Sequence, residues 1–68
     1  MYMVELWGCC QCHTEASPAR FTADATTLAD AKEEALGYLY WAGATAYRVT
    51  TDTGTEVAKQ VGIDPMPF

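Results

Sequence analysis

Positive charge is scarce in this chain: 68 residues hold four Lys and Arg against nine Asp and Glu, a formal net charge of −5. Gripping a phosphate backbone needs clustered cations, so direct nucleic-acid binding is excluded as its main task. No apolar run approaches the roughly 20 residues of a membrane span. Met1-Tyr2-Met3-Val4-Glu5 carries no basic region and opens no long apolar stretch, which reads as no secretion signal. With one histidine, His13, and no serine on a nucleophile elbow, no hydrolytic or acid–base site can be assembled. The five glycines are scattered rather than gathered into a phosphate-cradling loop. Repeats, low-complexity stretches and linkers are missing too. The expectation is one non-catalytic cytoplasmic domain over residues 1–68. A chain of this length hides only about 60% of its unfolded surface, so its core is thin.

What is present begins with cysteine. Cys9, Cys10 and Cys12 crowd together with His13 directly behind. A secreted disulfide scaffold spreads an even number along the chain, and bridges stabilise most when they close long loops. Reduced thiols are therefore expected. The literal C-x-x-C-H spacing also matches c-type haem attachment, but neither an export signal nor an all-helical setting accompanies it. Zinc suits these ligands better, since thiolate and imidazole are its preferred donors. Cys9, Cys12 and His13, with Cys10 in reserve, supply three ligands. The fourth is left to Glu15, a water or a symmetry mate. The plainer alternative is a small buried Cys cluster at a strand end. Redox activation is not expected, because the segment after Cys12 leads through Pro18 into a strand rather than a helix N-terminus.

Residues 2–10 alternate Tyr2, Val4, Leu6 against Met3, Glu5, Trp7, with Gly8 ending the clean strand pattern. Gln11 to Ala19 reads as a loop, and Arg20-Phe21-Thr22-Ala23 as a short antiparallel strand. A helix is predicted over about residues 27–43. Thr27 is its N-cap, with Asp30 at the third position and acids in the first turns, and Gly43 is its stop. Leu28, Ala31, Lys32, Ala35, Leu36, Leu39 and Ala42 share one side of that helix, and Asp30, Glu33, Glu34, Gly37 and Trp41 the other. Ala46 to Thr50 and Thr55 to Lys59 flank a turn ending in Gly54, which describes a β-hairpin. Gly62, Pro65 and Pro67 turn residues 62–68 into an extended tail. The fold class is α+β: strand, strand, helix, strand, strand, with a four-stranded, mainly antiparallel sheet and one helix on one face. The other face must meet water, a second copy or a different partner.

Binding chemistry concentrates in aromatics and acids. Trp41 lies four residues beyond Gly37, which leaves a notch beside it, and Tyr38 and Tyr40 border the buried stripe. Trp7 points to the sheet face opposite Val4 and Leu6. Trp and Tyr are enriched at the energetic centres of protein interfaces. The acids Asp30, Glu33 and Glu34, with Glu15 and Asp24 from the same part of the chain, suit a protein partner with a basic groove. The alternatives are a Trp41 folded over the helix end and a helix face that only keeps the chain in solution. The open sheet face also suggests a homodimer.

In size and layout, the two strands, the helix beginning Thr27-Leu28-Ala29-Asp30-Ala31-Lys32-Glu33-Glu34-Ala35 and the hairpin from Tyr47 to Val57 resemble small accessory proteins of bacteriophages and mobile elements. Anti-CRISPR and other anti-defence proteins are among these. The resemblance is architectural and spans most of the chain. It implies a stoichiometric inhibitor that occupies a host or defence protein surface, and it carries over no functional residue.

Overall fold

The alternation at the N-terminus becomes strand β1, Tyr2–Trp7, which lies inside a four-stranded antiparallel sheet. The structure, a computed structural model, describes residues 1–8 and 13–63. Strand β2 is Ala19–Ala23, helix α1 is Leu28–Ala42, β3 is Ala46–Thr51 and β4 is Glu56–Gln60. The strand order is β2-β1-β3-β4, so α1 leaves an edge strand, crosses β1 and delivers the chain to β3. This is the α+β architecture expected from the element order.

Register decides the faces. Val4 pairs with Phe21 and Val49, and Leu6 with Ala19 and Tyr47, so the apolar alternations of three strands fall on one side. There they meet Ala31, Ala35 and Leu39 of α1, all fully buried. Two alanines on that seam let the helix lie close to the sheet, while Leu39 fills the space toward Val4, Val49 and Tyr47.

Both helix ends follow local chemistry. Thr27 Oγ1 accepts the Asp30 N–H at 3.2 Å, satisfying a donor that the first turn leaves without a carbonyl. Gly43 adopts φ +72°, and the Ala44 N–H then reaches back to the Leu39 carbonyl at 3.0 Å. That six-residue return is a Schellman closure, and it buries Ala44 in the core beside Leu39. Gly8 is constrained more severely. At φ +86° a Cβ there would stand 2.0 Å from Thr45 Oγ1, so only glycine fits where β1 leaves the sheet.

Between β3 and β4 the chain turns through 52–55, with the Gly54 N–H on the Thr51 carbonyl and the Thr51 N–H on the Thr55 carbonyl, both at 2.9 Å. A register shift at Val49 and Thr50 leaves Val57 as an extra residue in β4. Such a bulge blunts an edge strand against pairing with another chain. The predicted tail departs from expectation at its start: the Ile63 N–H donates to the Thr45 carbonyl at 2.8 Å, and its side chain packs on the core. The remainder of the tail, 64–68, lies outside the described residues.

Leu39→Ala removes the one large side chain that α1 contributes to the fully buried core. It is expected to cost about 2–5 kcal/mol, comparable with the whole stability of a domain this small. Urea denaturation followed by circular dichroism should find the variant largely unfolded in buffer.

Candidate interaction face

The side of α1 turned away from the sheet carries the residues singled out for binding. Thr27 fixes where the helix begins, and from there the 3.6-residue period sets Glu34, Gly37, Tyr38 and Trp41 as neighbours. These four line a groove of about 410 Å³. Trp41 is 87% exposed on one wall. Tyr38 adjoins it one turn earlier, held by Phe21 of β2 with ring centroids 4.4 Å apart and planes at 53°. That contact is worth about 0.5–1.5 kcal/mol for such a pair and limits where the Tyr38 ring can go. Glu34 is fixed as well, since the Asp24 N–H donates to both of its carboxylate oxygens, at 3.0 and 3.2 Å. Gly37 forms the floor, and a Cβ built there meets nothing within 4 Å among the described residues. Tyr40, Glu33 and Asp30 are exposed along the adjoining surface.

Charge divides between the two sides of the molecule. Glu5 pairs across the sheet with Arg20 on β2 and Arg48 on β3, and Arg48 pairs with Lys59 on β4. Three of the chain's four cations therefore sit in one row on the face opposite the helix. Glu5, with its side chain only 9% exposed, accepts from Arg20 Nε at 2.6 Å and from Arg48. Lys59 Nζ meets Glu15 at 2.7 Å. The acids of that face answer its cations. On the helix side Asp24, Asp30, Glu33 and Glu34 face a single cation, Lys32. Acids outnumber cations on the helix side, so negative charge surrounds the Trp41 groove.

Trp7 lies on the sheet face opposite Val4 and Leu6, as its alternation with them predicts, and is buried there rather than open to a partner. It is 8% exposed on the sheet's second face, with the Arg48 guanidinium 5.4 Å and the Lys59 ammonium 5.9 Å from its ring centroid. Both distances fall within cation–π range. The face expected to need a partner is in this way closed at one end by its own side chains. At its other end Met3, Arg20, Arg48 and Thr50, with the β3–β4 turn, line an open cleft of about 420 Å³.

Of the proposed metal ligands, Cys9, Cys10 and Cys12 lie outside the described residues. His13 is half-buried, and its carbonyl accepts the Gly8 N–H at 3.2 Å. Among the described residues no three His, Cys, Asp or Glu side chains gather as a metal site. No helix among them is long and apolar enough to cross a membrane. Sequence reasoning missed the Arg20–Glu5–Arg48 bridge and the support of Tyr38 by Phe21. Both depend on strand register, although charged residues on the second face of two predicted strands were a signal for the first. The chain matches no protein-family model, no curated protein and no solved structure.

Three outcomes check this geometry. Glu5→Ala leaves the partly buried Arg48 without its acceptor and should destabilise by about 1.5–3 kcal/mol, measured by urea denaturation. Gly37→Ala fills only open space and should stabilise by about 0.8–1.0 kcal/mol, the usual helix-propensity gain. The hydrogen bond and charge of Lys59 hold the Glu15 carboxyl below its ordinary range. A carboxylate lowered in the folded state stabilises above its unfolded pKa, and that contribution fades as pH falls through the folded value. Carboxyl carbon shifts followed by NMR in acid should show Glu15 titrating late, and Lys59→Met should return it toward the ordinary range.

Proposed function

We propose that this protein is a non-catalytic binding module of the cytoplasm that docks one face of α1 onto a basic surface of another protein, in the manner of a stoichiometric inhibitor. The observation that carries this reading is Trp41, 87% exposed beside an unfilled groove. Leaving an indole in water forgoes burial worth about 1.5–3 kcal/mol for a large apolar side chain, and a thin core has little to spare. Gly37 adds a second unforced cost of about 0.8–1.0 kcal/mol relative to alanine in a helix interior. Neither residue serves the packing around it, whereas a partner seated on the groove would recover both. Asp30, Glu33 and Glu34 select the sign of that partner and speed the encounter. Tyr38 and Tyr40 widen the contact on either side. Occlusion of a host or defence protein is the role that the phage-type resemblance implies.

The test pairs Trp41→Ala with Glu33→Lys in the full chain. Both positions are exposed, so circular dichroism should be unchanged. Capture from the native host, identification by mass spectrometry and reconstitution with the purified partner should give a one-to-one complex. Its affinity should weaken as salt rises. The double variant should lose at least about thirtyfold in affinity, the loss set by removing one central aromatic anchor. Capture unchanged by the two substitutions rejects the helix face as the docking surface.

A further inference from the structure

We propose that the Trp41 groove seats a single cationic side chain of the partner, arginine ahead of lysine, stacked on the exposed Trp41 ring with one N–H on a Glu34 carboxylate oxygen. This rests on the reading of the α1 face as a protein-docking surface, and it names what that surface recognises.

The lining supplies each part of such a seat. Trp and Tyr faces attract cations through the ring quadrupole, and a guanidinium stacks on them more readily than an ammonium. Glu34 is held in place by the Asp24 N–H, which uses one lone pair on each oxygen. Those are the inward pairs that a donor fork would use; the outward pairs diverge, so a single guanidinium N–H can still reach one Glu34 oxygen. Gly37 provides depth for the aliphatic stem. The chain has no cation of its own for this position. Lys32 lies nine residues before Trp41, half a turn round the helix, and Arg20, Arg48 and Lys59 are in the row on the sheet's second face. An apolar anchor would fill the groove but leave the surrounding acids Asp30, Glu33 and Glu34 without an opposite charge. A second copy of the chain would bring its own acidic helix against this one.

The probe is the peptide acetyl-Gly-Arg-Gly-amide, with lysine and norleucine versions, titrated into the isotopically labelled full chain and followed by NMR. The arginine peptide should shift the Trp41 indole and Gly37 amide signals saturably while the Trp7 indole stays still. Its affinity should exceed that of the lysine peptide by about threefold, the worth of a modest stacking difference. The norleucine peptide should shift nothing. Glu34→Gln should weaken the arginine response severalfold, and Trp41→Ala should abolish it. Equal response to norleucine, arginine shifts that survive Trp41→Ala, or no response to any peptide at tens of millimolar overturns the proposal. So does a Trp41 shift that tracks chain concentration without peptide, because a second copy then fills the groove. If the peptides fail while the Trp41→Ala, Glu33→Lys pair still loses the protein partner, the docking face stands and only the cation seat falls.

Discussion

Helix α1 holds to the sheet through Ala31, Ala35 and Leu39, and the narrowness of that seam governs the rest of the molecule. Small side chains on the seam bring the helix close to β1 and β3, where Val4, Val49 and Tyr47 complete a dry core. With one helix among the described residues, Gly37 and Trp41 on its outer side are left uncovered. Gly37, Tyr38 and Trp41 consequently form a groove open to water, with Tyr38 steadied by Phe21 and Glu34 by the Asp24 backbone.

The second face of the sheet solves the same shortage of covering elements in another way. Instead of a second layer it uses polar pairing: one nearly buried carboxylate, Glu5, accepts from guanidiniums on both neighbouring strands. A half-satisfied Glu5 would cost more than it returns, so the bridge holds because the register puts Arg20 and Arg48 directly opposite. Trp7 is then sheltered between Arg48 and Lys59. Concentrating cations on this face strips them from the helix side, which gives the outer groove its negative surroundings. The two faces are thus coupled through charge as well as through the core.

Much of this was legible beforehand. The strand order along the chain, the Thr27 cap, the Gly43 stop and the turn before β4 follow from local chemistry, and local chemistry is written in adjacent residues. The notch between Gly37 and Trp41 was legible for the same reason, because helical spacing alone makes those positions neighbours. The burial of Trp7 was not legible, because alternation gives a residue's face but not whether that face is covered. Its cover comes from Arg48 and Lys59, more than forty residues downstream. The β4 bulge at Val57 and the anchoring of Ile63 to Thr45 were equally hidden, since each is a pairing between segments rather than a property of either.

The amino-acid order by itself determined which segments become helix and strand, where they stop, and which side of α1 is apolar, since these depend on contacts within a few residues. Tertiary structure alone decided that β1 lies between β2 and β3, that three of four cations line up across the sheet, and that one tryptophan is enclosed while the other stands in solvent. Those outcomes depend on strand register and on what packs over each face. Register is a relation between distant parts of the chain, fixed only when the hydrophobic faces are buried together.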